Sequence, residues 1–441
     1  MSRRERRELL ESQKLCGELY KTIKHFFPNL IDLLKQQPEK RHKSYITYEG
    51  HIILFARIIC AALHIGSMRK MTTSFNTSAC IHNVGKLLGV EELYELPYWE
   101  TINDYLERHD PEELEALAPK LINRLIRMRS YEDSRIRGKY WQIAIDGVHL
   151  YSFAERHCPH CLTKEHKDKD GKPAWTEYYH YVLEAKLILG GNIVCSVATE
   201  FVGNAQEGAT KQDCELKAFY RLADKLKNSF PRLPICLTMD SLYACGPVFE
   251  VCKQKGWGYI IRFKEGSIPT LAEEFHALAA MEPGQRVKAG GPVAEAECRF
   301  VTGIAYQAYT INMVEYTQRD MAYPFVFLTN LPVNKRNCVQ TAQDGRRRWK
   351  IENEGFNAQK NHGYGLTHQF SKDWNATKCH YLLIQIGHMI FQLMGALSAV
   401  LQSAKAPLYM MAEAVRRSLQ TERLTNADIR TLNRRTQLRI N

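Results

Sequence analysis

The chain contains 441 residues, of which 45% are hydrophobic and 10% aromatic, and this length is enough for two to four domains with buried cores. Its 60 lysine and arginine residues exceed its 48 aspartate and glutamate residues, which gives a formal net charge of +12. This excess favours a polyanionic partner: DNA, RNA or an anionic membrane surface. Thirteen scattered cysteines and a charged N-terminus without an apolar signal segment disfavour a disulfide-bonded secreted protein.

No stretch reaches the roughly 18 apolar residues that a membrane-spanning helix requires. The most apolar segment, residues 381–400, is interrupted by Gln385, His388 and Gln392. Polar side chains at such positions are typical of a helix that is buried inside a protein. We therefore expect no membrane association and a cytoplasmic location.

Residues 1–135 predict a helical domain. A dense apolar pattern covers residues 46–63, and a shorter amphipathic pattern covers residues 98–108. Asp110 followed by Pro111 predicts a helix start, because aspartate caps a first turn and proline suits its first position. Helices that are joined by tight turns and end in arginine suit the recognition of DNA ends. A helical packing or dimerisation domain accounts for the same pattern nearly as well.

From residue 136 the pattern changes to that of an α/β domain. Short apolar runs bounded by turn formers predict buried strands, and Gly190-Gly191 predicts a hairpin between two of them. The predicted elements up to residue 265 are strands at 141–146, 178–189 and 192–201, a helix at 211–227, a strand ending at 240, a helix at 244–255 and a strand at 259–263.

The remaining sequence divides into three parts. Alternating apolar and polar residues at 294–318 and 324–330 predict long strands, and hence a β-rich insertion at 266–335. A helical segment of the same α/β domain follows at 336–375, and residues 376–441 predict a C-terminal helical region. That region ends in a basic cluster, for which packing, DNA contact and subunit contact all stay open. The cluster consists of Arg434, Arg435 and Arg439.

Three carboxylates stand at positions that suit a metal-dependent enzyme. Asp146 and Asp240 each follow a predicted strand, and open sheets place their sites at the carboxyl ends of strands. Glu352 comes one helical turn after a run of arginines, whereas its nearest rival, Glu354, would point about 200° away around an α-helix. Mg²⁺ takes oxygen ligands, one or two carboxylates together with substrate phosphates. The pattern predicts metal ions held against a nucleic-acid backbone.

The three carboxylates resemble the D-D-E triad of insertion-sequence transposases that have a ribonuclease-H-like catalytic core. More narrowly, the segment around Glu352 resembles the group with a Y-x2-R-x3-E-x6-K signature, in which Arg348 and Glu352 match the R-x3-E part. Gly345 stands at the tyrosine position and Gln359 at the lysine position, with Lys360 one residue late. The resemblance covers roughly residues 140–380, and the order of the predicted elements agrees with it.

The resemblance implies a fold and a chemistry. The α/β fold would be a ribonuclease-H-like mixed sheet, formed by residues 136–265 and 336–375 and interrupted by the β-rich insertion. Two Mg²⁺ or Mn²⁺ ions would be held by the three carboxylates. Arg348 would clamp a phosphate, because its planar guanidinium binds phosphate with two hydrogen bonds. The other residues expected to contact DNA are Arg346, Arg347, Gln359, Lys360 and Tyr243, the last of which suits a packing role equally well.

The implied function is that of a DNA transposase in a bacterial cytosol or nucleoid. It would cut at the terminal inverted repeats of an insertion sequence and join the 3′-hydroxyl ends to target DNA, as a homodimer that assembles on DNA. Two alternatives stay open. One is a degenerate or domesticated DNA-binding protein, which the presence of all three carboxylates disfavours. The other is a metal-dependent nuclease without strand transfer, which would have less need of the N-terminal helical domain.

A separate cluster of cysteine and histidine residues follows the first predicted strand. Cys158 and Cys161 have the spacing of half a zinc site. No second Cys-x2-Cys pair lies nearby, so histidines would have to complete the site. We expect His166 as the third ligand, with His157, His160 and His180 as further candidates. The alternative is a solvent-exposed loop that contacts DNA through its lysines; a metal ion here would be structural.

Overall fold

The computed structural model describes residues 1–204, 212–282, 284–290, 295–319 and 321–434. Its first part is helical, as the sequence predicts. Short 3-10 turns lie at Lys43–Tyr45 and Glu132–Ser134, and a π-turn at Met71–Phe75. The helices are α1 Arg3–Glu11, α2 Cys16–Phe26, α3 Leu30–Lys35, α4 Gly50–Ala62, α5 Met68–Lys70, α6 Ser78–Leu88, α7 Trp99–Arg108, α8 Pro111–Glu115 and α9 Leu117–Arg127.

The predicted helix start at Asp110 is confirmed, because its side chain accepts a hydrogen bond from the backbone N–H of Glu112 at 3.0 Å. The apolar run at 46–63 forms α4, whose side chains are buried from His51 to Ala62. A helix that is apolar on all sides must lie inside the protein.

The strands form one open, mixed sheet that is largely antiparallel. They are β1 Trp141–Phe153, β2 Leu162–Lys167, β3 Pro173–Ile188, β4 Val194–Val202, β5 Ile235–Met239, β6 Gly258–Phe263, β7 Arg286–Gly290, β8 Glu295–Tyr306, β9 Tyr309–Gln318 and β10 Phe325–Thr329. The order is β2-β3-β1-β5-β6-β10-β9-β8-β7, and β4 also pairs with β3. The pairs β1–β5 and β5–β6 are parallel, and the other pairs are antiparallel.

The α/β class predicted from the sequence is confirmed. The hairpin predicted at Gly190-Gly191 joins β3 and β4, with Gly191 at φ 64°, a conformation that glycine adopts without strain. β2, β7 and a helix at 269–281 are additional to the prediction. The strands of the predicted insertion extend the sheet of the α/β domain, since Phe327 of β10 pairs with Arg262 of β6.

The remaining helices are α10 Glu215–Ser229, α11 Gly246–Lys255, α12 Pro269–Met281, α13 Cys338–Arg346, α14 Ala358–Asn361, α15 Trp374–Leu397, α16 Ala399–Ala404, α17 Leu408–Thr421 and α18 Asn426–Arg434. By length and composition alone, α15 is the one helix in the described ranges that could cross a membrane, but 78% of its most apolar window is buried inside the protein. This agrees with the predicted buried helix. Three positions of predicted elements, Lys211, Arg435 and Arg439, lie outside the described residues.

Candidate active site and metal centre

The first two carboxylates belong to neighbouring parallel strands: Asp146 lies on β1, and Asp240 directly follows β5. β1 pairs with β5 as far as Ala144 opposite Thr238. Asp146 and Asp240 each come two residues after this last pair, and the charge of Asp240 acts on Asp146. Asp240 directly follows β5, as predicted. The prediction that Asp146 ends its strand is wrong, because β1 remains paired with β3 after it has parted from β5.

Glu352 lies on a helical segment that changes its pitch at the site. α13 passes into a 3-10 turn at Arg347–Trp349, then into a π-helical stretch at Ile351–Asn357, and then into α14. π-helical turns are rare and occur frequently at functional sites. The apolar spacing predicts a helix here but carries no signal for the altered pitch. We call residues 338–361 the glutamate segment.

Arg348 joins the glutamate segment to β1. Its Nη1 lies 2.5 Å from Oδ2 of Asp146 and 3.6 Å from Oε1 of Glu352. Burial raises the pKa of Asp146 to about 7; Arg348 opposes this rise, while Glu352 and Asp240 add to it. The three acidic groups therefore share one electrostatic environment, although they come from distant parts of the chain. We call Asp146, Asp240 and Glu352 the carboxylate cluster.

The arginines expected to hold phosphate already have protein partners. Arg348 is 8% exposed and binds two carboxylates, so it does not form the open phosphate clamp that was expected. Arg347 lies 3.8 Å from a carboxylate oxygen of Asp344. Arg346 lies over aromatic rings of β9 and β10 at 5.5 and 5.4 Å. These contacts fix the glutamate segment on the sheet.

The two departures from the signature have structural reasons. A side chain at Gly345 would meet the ring of Phe327 at 2.6 Å, so tyrosine does not fit there. Gln359 is fully buried and donates to Oε1 of Gln385 at 2.8 Å, so its expected contact with DNA is corrected to an internal hydrogen bond. Lys360 is half-buried and remains a candidate for that contact.

Tyr243 is also buried and does not face an open DNA surface. Its hydroxyl donates to Oε1 of Glu215 at 2.8 Å, and the hydroxyl of Tyr181 donates to Oε2 at 2.6 Å. The expected contact of Tyr243 with a DNA backbone is thus corrected to a packing role. The structure adds Glu215 as a fourth acidic group near Asp146 and Asp240, whose charges both act on Tyr181. Glu215 comes to this position because α10, which begins at Glu215, packs beside β3.

The cysteine and histidine residues form a compact second group. Sγ of Cys158 lies 3.6 Å from Sγ of Cys161, and Nε2 of His180 lies 3.5 and 3.6 Å from the two sulfur atoms. His157 is the fourth member, and one ligand atom of each residue lies within 4.8 Å of the others. We call these four residues the His/Cys cluster. It could hold a metal ion, and the carboxylates in the described ranges reach no such mutual spacing.

His166, the third ligand expected from the sequence, lies outside the His/Cys cluster. Its Nε2 lies 2.8 Å from Oε2 of Glu177, and its ring stacks on Trp175. β2 and β3 place it there, because His166 pairs with Trp175 across the hairpin. His180 replaces it from further along β3. Burial lowers the pKa of His180 to about 4, so its imidazole is neutral, as a metal ligand must be.

The His/Cys cluster is packed against the connection between α14 and α15. Trp374 stacks on His180 with ring centroids 4.3 Å apart, and Gln369 contacts His157. The cluster therefore joins the β1–β2 loop and β3 to the chain that follows the glutamate segment. No protein-family model matches this sequence, and no curated protein is significantly similar to it.

Proposed function

We propose that the chain is a metal-dependent DNA transposase, which cuts at the terminal inverted repeats of an insertion sequence and joins the 3′-hydroxyl ends to target DNA. The observation that carries this proposal is the carboxylate cluster, in which two neighbouring parallel strands and an R-x3-E helical segment contribute to one electrostatic environment. Such an enzyme acts on two DNA ends at once, so the proposal includes a homodimer assembled on DNA in a bacterial cytosol.

The sheet supports the ribonuclease-H-like fold that the resemblance implies. Within the sheet, β4-β3-β1-β5-β6 are consecutive neighbours, β1 and β3 form an antiparallel pair, and β1, β5 and β6 are parallel. Helices α10 and α11 precede and follow β5. Apart from the additional β2 between β1 and β3, this is the predicted order of three antiparallel strands, helix, strand, helix and strand. The remaining strands extend the far side of the sheet beyond β6.

The carboxylate cluster has the donors that Mg²⁺ or Mn²⁺ takes, namely carboxylate oxygens in a partly buried setting. Burial is the largest cause of the raised pKa of Asp146, and the charges of Glu352 and Asp240 add to it; a bound cation would favour the ionised carboxylate. Asp146, Asp240 and Glu352 would hold two such ions. When bound, the ions would activate the attacking oxygen and stabilise the leaving oxygen of a phosphoryl transfer.

The protein residues around the cluster position its carboxylates. Arg348 holds Asp146 and Glu352 together, while Asp240 accepts a hydrogen bond from the backbone N–H of Leu242 at 2.9 Å. Gly147 lets the ring of Tyr181 lie directly against the backbone of β1, since a side chain there would overlap it. These contacts orient the carboxylates before substrate arrives, which is how catalytic groups are kept in reacting geometry.

We further propose that the His/Cys cluster holds a structural zinc ion. Tetrahedral zinc with Zn–S bonds of about 2.3 Å and Zn–N bonds of about 2.0 Å requires S···S and S···N separations of about 3.8 and 3.5 Å. The observed separations of 3.6 Å between the sulfur atoms and 3.5 to 3.6 Å from sulfur to Nε2 match these values. Four protein ligands close the coordination sphere, which is typical of structural rather than catalytic zinc.

The experiment that tests the transposase proposal is strand cleavage with Mg²⁺ or Mn²⁺ on a duplex that carries the terminal repeats of the element. Wild type is compared with Asp240→Ala and with Asp224→Ala, a matched control whose carboxylate is 70% exposed on α10. We expect site-specific nicking by wild type and the control, and binding without nicking by Asp240→Ala. Equal nicking by all three would contradict the assignment of the carboxylate cluster.

The same experiment separates the two alternatives. DNA binding without cleavage by any of the three proteins would favour a degenerate DNA-binding protein. Cleavage without joining of 3′-hydroxyl ends to a second duplex would favour a nuclease without strand transfer. The retained acidic cluster disfavours the first alternative, because like charges held together in a partly buried setting are costly unless they have a use.

A further inference from the structure

A positively charged cleft lies between the N-terminal helices and the end of the glutamate segment. Its volume is about 840 Å³, which falls within the range of roughly 300–1,000 Å³ found for ligand sites. Its lining carries Arg69, Lys70, Lys360 and Arg416, and no aspartate or glutamate among the described residues. We call it the basic cleft. Its four cations come from three segments that are far apart in the sequence: Arg69 and Lys70 lie on α5, Lys360 on α14 and Arg416 on α17.

These cations have no acidic partners. None of the four forms an ion pair within the part of the chain that the structure describes, and Arg69 instead lies over the ring of Trp99 at 5.7 Å. The predicted phosphate contacts Arg346, Arg347 and Arg348, in contrast, are all engaged by protein groups. Like charges around a concave surface repel one another and concentrate an electrostatic field that attracts anions.

A buried arginine behind the wall of the basic cleft strengthens this field. Arg57 is 0% exposed, and its Nε donates to Nδ1 of His380 at 2.9 Å. Its Nη1 has no hydrogen-bond partner, and no carboxylate neutralises it among the described residues. His380 lines the cleft. An uncompensated buried guanidinium costs several kcal/mol, and an anion in the adjoining cleft would reduce that cost.

The floor of the basic cleft ties two distant parts of the chain together. The backbone of Gly66 lies so close to Gly363 and Gly365 that a side chain at position 66 would come within 2.8 Å of the carbonyl oxygen of Gly363. Gly363 and Gly365 have φ values of 90° and 75°, which favour glycine. A ligand in the cleft would therefore touch both the connection between α4 and α5 and the chain that directly follows the glutamate segment.

Lys360 connects the basic cleft with the carboxylate cluster. It lies on α14, the helix that ends the glutamate segment, and its charge is among those that act on His149. His149 follows Asp146 by three residues on β1. Lys360 thus places one charge of the basic cleft on the same segment that carries Glu352.

We propose that the basic cleft binds the phosphodiester backbone of DNA and leads it from the N-terminal helices to the carboxylate cluster. This inference rests on the proposed function and names the surface through which the substrate enters. Arg69, Lys70, Lys360 and Arg416 contact phosphates, and Trp99 offers a ring on which a base can stack. The contacts position the strand and carry no sequence information.

The test measures binding of fluorescein-labelled single-stranded and duplex oligonucleotides by anisotropy over a range of NaCl concentrations. The double variant Arg69→Ala/Lys70→Ala and the single variant Arg416→Ala are compared with Arg232→Ala/Lys335→Ala, which removes two exposed cations away from the cleft. We expect the double cleft variant to bind at least about tenfold more weakly. The slope of the logarithm of its binding constant against the logarithm of the NaCl concentration should become shallower by roughly 0.7–0.9 for each lost phosphate contact. The DNA affinity of the control variant should change by less than about threefold.

Three results bear on the proposal. Equal losses in the cleft and control variants, with unchanged thermal melting, would overturn it. Binding of inorganic phosphate to the cleft, with DNA binding unaffected by the substitutions, would assign the cleft to a small anion and would also overturn it. A wild-type protein that binds DNA through the cleft but does not cut it would support the cleft and contradict the transposase proposal, so the two can fail separately.

Discussion

The carboxylate cluster and the His/Cys cluster are two potential metal sites built in opposite ways. Cys158 and Cys161 lie within one short loop, and their sulfur atoms are already at the spacing of zinc ligands. Asp146, Asp240 and Glu352 lie on three distant elements, and their charges repel one another around Arg348. The difference follows from chemistry, because neutral thiols and imidazoles pack together at little cost whereas carboxylates need a counter-charge.

The strongest test of the comparison uses two neighbouring glutamates. Glu352 contacts Arg348, whereas Glu354 lies against a different pocket, beside His388. We expect Glu352→Gln to reduce strand cleavage on the order of 10³-fold, equivalent to several kcal/mol of lost transition-state stabilisation. The cleavage rate of Glu354→Gln should stay within about fivefold of the wild-type rate. The measurement is the cleavage rate with saturating Mn²⁺; the reverse ranking would move the active carboxylate to position 354.

A second test concerns the metal that the His/Cys cluster holds. We expect purified protein to contain about one zinc ion per chain by elemental analysis, and Cys158→Ser or His180→Asn to lose it. Because zinc binding contributes to folding stability, these variants should melt several degrees lower, while His166→Asn keeps both the metal and the melting temperature. Cobalt substitution would report thiolate ligands by visible absorption. Zinc loss in His166→Asn alone would instead support the ligand set predicted from the sequence.

A third test restores the signature lysine. Gln359 is fully buried between Gln385 and His388, so the substitution Gln359→Lys would bury a charge without a partner. We expect it to lower the free energy of unfolding by about 3 kcal/mol or more, as measured by urea denaturation. Lys360→Gln, a control on the next residue, should cost less than about 1 kcal/mol. A well-folded Gln359→Lys with stronger DNA binding would show that position 359 can face the substrate.

The smallest expected effect comes from buried histidines outside both clusters. Burial lowers the pKa of His64 to about 3 and that of His109 to about 4. Between these values and roughly 6.5 the unfolded chain binds protons that the folded chain does not, so stability falls as the pH is lowered through this window. We expect His64 to lower the free energy of unfolding by about 2 kcal/mol at pH 5 relative to neutral pH, measured by thermal melting. The substitution His64→Gln should flatten that dependence; an unchanged pH profile would contradict it.

Local sequence signals predicted much of the fold. Helix caps, hairpin glycines and apolar periodicity act over a few residues, and so Asp110, the turn at Gly190-Gly191 and the strand before Asp240 were all identified correctly. The same signals missed β2, because its run of consecutive polar and charged residues contains no apolar pattern. They also predicted the insertion as a unit separate from the main sheet, because the pairing of β10 with β6 joins residues more than sixty positions apart.

The sequence by itself determined which carboxylate, cysteine and histidine residues are candidate ligands, and the order of most helices and strands, though not of β2, β7 and α12. Only the tertiary structure decided their partners: His180 rather than His166 beside the two cysteines, Arg348 turned toward Asp146, and Gln359 and Tyr243 buried. The physical reason is that periodicity and capping are local properties of the backbone. Side-chain partners depend on sheet register and helix packing, which bring together residues hundreds of positions apart.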